Sequence, residues 1–224
     1  KAAPAQVSLA PQETAPPPPP PPPVETPPEP VEAGPEQHLF IAVAGTMLDE
    51  SAQAILMAHT PGGVVLRREN LVEETQARAM IKAIRQTALS GKRRAAPIIL
   101  WAWEPASENA FPDAALAAAI QASVDAQDPD AAQATGRTFA ERLRAMGVDA
   151  VLGPSLDVYA EAGAESGRTF GDSPALVTKL GIAFADGLLE VGVTPVFRHY
   201  PGLGSAKAVN GQLTIEKTEV RALA

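Results

Sequence analysis

Apolar residues follow two alternating patterns from residue 39 onward. Short, mainly apolar runs at 40–43, 64–66, 98–103, 148–152 and 194–197 have the length and apolar content of strands buried on both faces. The stretches between them place apolar residues three and four apart, the period of an amphipathic helix. Ile55 and Leu56 fall in a segment, 49–59, that Asp49 can cap. Met80, Ile81 and Ile84 share one face of 73–88, and 114–123 is an Ala-rich helical stretch. The best-signalled helix covers 128–146: Asp128 caps it, Pro129 takes its first position, and Gly147 follows it. Phe139, Leu143 and Met146 lie on one of its sides. Ser173-Pro174 opens another helix carrying Leu176, Leu180, Phe184, Leu188 and Val191, which Gly192 closes. Residues 216–223 have the pattern of one more.

Strands that alternate with amphipathic helices build a parallel sheet covered by helices. Five such units fill the chain beyond the tail at about 37 residues each, and eight at that spacing need about 300 residues, inside the usual barrel range. The expected fold class is therefore α/β: an incomplete TIM-type (β/α) barrel of about five parallel βα units over 38–224. Such a barrel leaves sheet edges open at the first and fifth strands. Open edges invite pairing, so a protein partner or a second copy is expected to cover them.

Composition changes the picture mainly at the N-terminus. Fourteen of the 23 prolines fall in the first 38 residues, and eight form an unbroken run from Pro16 to Pro23. Residues 1–37 therefore read as a disordered, extended Pro-rich linker, with the oligoproline run a stiff spacer of about 25 Å. A ligand for a Pro-binding domain and an inert leader are the alternatives. The first residue is Lys1, which suggests processing of a longer precursor and a removed targeting or anchoring segment. That points to the periplasm or cell envelope, with any membrane attachment supplied through the lost anchor. No apolar run reaches the roughly 18 residues of a membrane span.

The net charge of −8 argues against nucleic acid as a partner. Arg67-Arg68 and Lys92-Arg93-Arg94 are too short to alter that and read as solvated loop charge. Without cysteine there is no disulfide, no thiolate metal site and no thiol nucleophile. Gly202-Leu203-Gly204 lacks the further glycine and helix of a dinucleotide fingerprint. No cofactor and no metal is expected.

Specific words occupy the fourth and fifth units. Gly153-Pro154-Ser155-Leu156-Asp157-Val158 is followed by Arg168-Thr169-Phe170-Gly171-Asp172, then by Arg198-His199-Tyr200-Pro201-Gly202-Leu203-Gly204. In that order they resemble the N-terminal barrel of glycoside hydrolase family 3, especially its bacterial β-N-acetylglucosaminidases, which read PVLDV, RSFG-DP and KHFPGHG. Gly62 to Leu66 is similar to the family's second strand. The resemblance implies that Arg168, Arg198 and His199 grip the sugar beside the scissile bond, while Asp157 orients their loop. All four fall just past strands four and five, where a parallel barrel carries its ligand face. Guanidiniums, an imidazole and a carboxylate suit the hydroxyls and acetamide of an N-acetylglucosamine-containing glycan. The plainer alternatives are an Asp157–Arg168 pair bracing two loops and a packed His199. Trp101 and Trp103 are assigned to opposite sides of the third strand, one of them a candidate sugar-stacking platform. Core filling is favoured, since aromatics are only 4% of the chain.

Departures from the pattern bear on catalysis. The resemblance implies a nucleophilic aspartate after a seventh strand, beyond Ala224. It also implies an Asp-Ser-His acid/base element where this chain reads Ala208-Val209-Asn210-Gly211. The DQEGG word after the third strand is Ala102-Trp103-Glu104-Pro105-Ala106, with Glu104 as a possible substitute carboxylate. The KHFPGHG lysine is Arg198 and its last histidine is Leu203. No catalytic residue is assigned. The expected function is a non-catalytic, glycan-binding or structural subunit of an envelope complex. The alternative is a retaining β-N-acetylhexosaminidase whose remaining units are supplied from elsewhere.

Overall fold

The structure, a computed structural model, describes residues 34–59, 61–91, 95–103, 114–158, 169–200, 202–203, 207–209 and 212–214. All of them belong to one compact unit, Ala33–Ala224. The proline run, the basic triplet at 92–94, Glu104, Arg168 and the helix expected at 216–223 lie outside the described residues.

Five strands form one parallel sheet: β1 (Phe40–Ala42), β2 (Gly63–Leu66), β3 (Ile98–Ala102), β4 (Ala150–Ser155) and β5 (Thr194–Arg198). Five helices run between them: α1 (Glu50–Ala58), α2 (Glu74–Ser90), α3 (Ala114–Ala126), α4 (Pro129–Met146) and α5 (Pro174–Glu190). Strand order equals chain order. Right-handed crossovers that always step the same way put every helix on one face, which is barrel winding; a doubly wound sheet would reverse direction. An antiparallel hairpin, β6 (Lys207–Val209) with β7 (Gln212–Thr214), follows the sheet. No sequence signal was assigned to it.

Helix ends sit where short side chains can satisfy free backbone groups. Asp49 accepts from Ala52 N–H at 2.7 Å, Asp128 from Asp130 and Ala131, and Ser173 from Leu176. Gly147 takes φ +98°, and its N–H and that of Val148 return to carbonyls of the last α4 turn. The fourth strand starts two residues later than its apolar run and ends three residues later. Asp149 stands just before that start: its backbone N–H donates to the Ile99 carbonyl and its own carbonyl accepts from Thr194 N–H, while its carboxylate takes the Ile99 N–H together with Arg85 and Arg144. The extension carries the chain through Gly153-Pro154, with an irregular register at Leu152/Gly153 against Val196.

The two sheet faces differ. Val64, Leu66, Ile99, Trp101 and Val151 are buried against the helix layer, and burying each such side chain contributes about 1.5–3 kcal/mol. In the alternate rows, Phe40 pairs through Gly63 with Ile98, and Ala42 through Val65 with Leu100. Phe40 and Ile98 are 45% exposed and Val196 39%. In a closed barrel this face would be the lumen. Trp101 and Trp103 correct the expectation of opposite sides. Residues two apart share a face, and both indoles are buried. Trp103 lies just past β3, stacked on Phe184 at 5.8 Å and tilted against Phe139 at 5.6 Å. Both tryptophans are core residues; neither is a platform at the mouth.

On the outside, α4 and α5 approach closely at two glycines, Gly136 against the Phe184 backbone and Gly187 against Gln133 and Arg137. Glu190 joins the same pair of helices. Hydrogen bonds from Arg137 and Gln133 hold its carboxyl below the usual range.

Candidate functional site

The upper ends of β4 and β5 meet in a polar cluster centred on a carboxylate. Ser155 is registered with Arg198, and Leu156 N–H donates to the Arg198 carbonyl at 2.6 Å, so the strands stay joined past their last ladder pair. Asp157 follows, its side chain fully buried. A buried carboxylate needs donors on both oxygens. Oδ2 receives the Ser155 hydroxyl at 2.8 Å and faces His199 Nδ1 at 2.6 Å, and Oδ1 receives the Leu203 N–H. One side chain thereby ties the β4 loop to both ends of the segment after β5.

His199 keeps 27% of its side chain exposed, with the ring edge carrying Nδ1 against Asp157. Arg198 turns the other way. Its Nη2 donates to the Trp103 carbonyl at 2.6 Å, closing the end of β3 onto β5, while its Nε is buried without a partner among the described residues. The structure thus brings together Asp157, Arg198 and His199 of the four sequence candidates. Arg168 lies outside the described residues. Its neighbours are anchored: Phe170 is buried against Phe184 at 5.5 Å, and the Thr169 hydroxyl donates to the Gly171 carbonyl.

Two further groups shape the mouth on the β1–β2 side. Asn70 is fully buried; its amide donates to the carbonyls of Val43 and Gly45, and its Oδ1 accepts from Arg67 N–H. Gln76 donates to the carbonyls of Thr46 and Asn70. Together they hold the loop after β1 against the turn after β2. Sequence reasoning passed over both, and over Ser155, because isolated polar residues give no signal until their partners, 25 to 30 residues away for Asn70 and Gln76, are known. Among the described residues no three acidic or imidazole side chains gather as a metal site would require.

The stretch that carries the acid/base element in the resembling branch runs into the hairpin. Val209 lies on β6, paired with Gln212. Asn210-Gly211, between them, are outside the described residues; as a sequence, Asn-Gly is the pair preferred in two-residue hairpin loops.

Comparison with known proteins accounts for the fold. Residues 36–221 match the family described as glycosyl hydrolase family 3 N terminal domain. The chain belongs to glycosyl hydrolase family 3. Among curated relatives, a secreted but uncharacterised glycosyl hydrolase of Arthroderma benhamiae is 31% identical over 185 residues, covering 79% of this chain and 50% of the relative. A β-hexosaminidase of Tolumonas auensis is 29% identical over 175 residues, again covering 50% of its length. The chain thus spans about half the length of these relatives. NagZ from Neisseria gonorrhoeae, solved with N-trifluoroacetyl-D-glucosamine, shares the fold with a TM-score of 0.69 at 23% identity. The match covers 83% of this chain and 56% of that one. Within the family-3 barrel the Asp157–His199 cluster falls on the C-terminal face, where TIM-type enzymes carry their ligand sites.

Proposed function

We propose that this family-3 domain is a carbohydrate-recognition and structural module that has given up hydrolysis, working at the cell envelope as part of a larger assembly. The observation that carries the reading is the sequence Val209-Asn210-Gly211, which begins at the last residue of β6, in place of an Asp-Ser-His acid/base. A hairpin bearing neither carboxylate nor imidazole there cannot protonate a leaving group. Losing a general acid typically forfeits 10²–10⁴ in rate.

The ligand reading rests on the opposite kind of observation, an intact polar mouth. Asp157, Arg198 and His199 are held by 2.6–2.8 Å contacts on the barrel's ligand face, and the family resemblance adds Arg168 to them. Their donors and acceptors suit the hydroxyls and acetamide of a β-linked N-acetylglucosamine unit. The secreted Arthroderma relative and the Pro-rich tail favour an extracytoplasmic location, with the tail as a spacer. No helix among the described residues is long and apolar enough to cross a membrane.

A second reading has its own support in the open apolar sheet face. Phe40, Ile98 and Val196 need a covering layer, and further βα units, in the same or another polypeptide, would provide one together with a nucleophile. Incubation with an aryl N-acetyl-β-glucosaminide separates the two. The module reading expects release no faster than buffer and saturable binding of N-acetylglucosamine oligomers. Turnover by the folded chain overturns it.

A further inference from the structure

We propose that Asp157 is a positioning residue that fixes the His199 imidazole as its Nδ1–H tautomer, leaving Nε2 as a hydrogen-bond acceptor at the mouth of the barrel. The group His199 would then recognise on a ligand is a donor, a hydroxyl or an amide N–H, and not a carbonyl.

The assignment follows from counting protons around one buried carboxyl group. Leu203 N–H can only donate, and it occupies Oδ1. The Ser155 oxygen lies 3.4 Å from the Asp157 N–H, which leaves the hydroxyl hydrogen to go to Oδ2 at 2.8 Å. With both oxygens already accepting, Asp157 acts as a carboxylate, and the nitrogen 2.6 Å from Oδ2 must carry a hydrogen. His199 Nδ1 is that nitrogen. Nε2 has no hydrogen-bond partner among the described residues, and the side chain that carries it keeps 27% of its surface exposed. In a neutral ring it bears a lone pair. Rotation of the ring is blocked as well, because exchanging its edges would leave the buried carboxylate without this donor.

This deepens the carbohydrate reading by naming the atom that meets the ligand, but the tautomer is a property of the empty protein and is measured without any sugar. The chain has three histidines, so an ¹⁵N-labelled sample shows three imidazole patterns, and His199→Ala identifies one of them. In long-range ¹H–¹⁵N spectra, at a pH where the ring is neutral, His199 should show a protonated Nδ1 and an unprotonated Nε2. The bias should be roughly tenfold or more, the scale of one charge-assisted hydrogen bond. In Asp157→Asn, provided its indole and methyl signals match the parent, that bias should fall and Nε2–H should appear. An Nε2–H tautomer, a doubly protonated ring throughout, or an unchanged Nδ1–H in folded Asp157→Asn overturns the proposal. The parent spectrum decides even where the variant does not fold. Failure of N-acetylglucosamine to bind while the tautomer holds removes the carbohydrate reading alone.

Discussion

Asp157 shows how a single residue converts chain connectivity into a site. Its burial would be costly if the carboxylate were unpaired, and three donors, one at the end of β4 and two in the segment after β5, offset that cost. Ser155 is the least conspicuous of them. Ser155→Ala should lower unfolding stability by about 1–3 kcal/mol, the range for losing a hydrogen bond to a buried charge, read as a shift in urea midpoint at constant slope. A shift within error would mean that water replaces the hydroxyl. At this scale the sequence was only partly legible. Asp157 and His199 stood out because their neighbours form recognisable words. Ser155, Asn70 and Gln76 stood out from nothing, since their roles depend on partners brought together by folding. Arg198 shows a different gap: its charge was visible, but its orientation toward the Trp103 carbonyl was not.

Individual elements were read more reliably, and for a local reason. Asp49, Asp128-Pro129, Gly147 and Ser173-Pro174 act within four residues of themselves, so the signal and the structure it sets are close in the chain. The fourth strand extends beyond its apolar run through Gly153-Pro154-Ser155, and Asp149 before it gives its carboxylate to the Ile99 N–H and to arginines distant in the chain, which no local pattern shows. The β6–β7 hairpin was missed although Asn210-Gly211 is a turn signal; its flanking strands are only three residues each, too short for alternation to register. The α4–α5 contact offers a test at this scale. A Cβ on Gly187 would lie 2.1 Å from the Gln133 carbonyl oxygen and 2.7 Å from the Arg137 nitrogen, both rigid backbone. Replacing glycine by alanine inside a helix ordinarily gains up to about 1 kcal/mol. Overpacking against backbone costs about 1–3 kcal/mol and should win, so Gly187→Ala is expected to melt at a lower temperature than the parent. A higher melting temperature would show that the two helices can part without loss.

Across the whole molecule, the parallel sheet and its helices followed from the alternation of apolar runs and amphipathic segments, and the barrel reading from the length of the repeating unit. What the pattern could not show is which sheet face is left uncovered, because continuous apolar strands look alike from both sides. The structure leaves Phe40, Ile98 and Val196 accessible on the face a closed barrel would enclose, with β1 and β5 as edges. An apolar face of that kind favours association. Sedimentation velocity is expected to show mass increasing with concentration, and Val196→Glu should shift the distribution toward the single chain. A single species of monomer mass at every concentration would argue against a covering partner. The central claim, recognition of a glycan without its hydrolysis, is tested most directly by recording imidazole and amide spectra of the labelled protein during incubation with an aryl N-acetyl-β-glucosaminide. The account predicts saturable shifts at His199 with no aryl alcohol appearing above the buffer rate. Steady release of aryl alcohol, or a His199 signal that never moves, would contradict it.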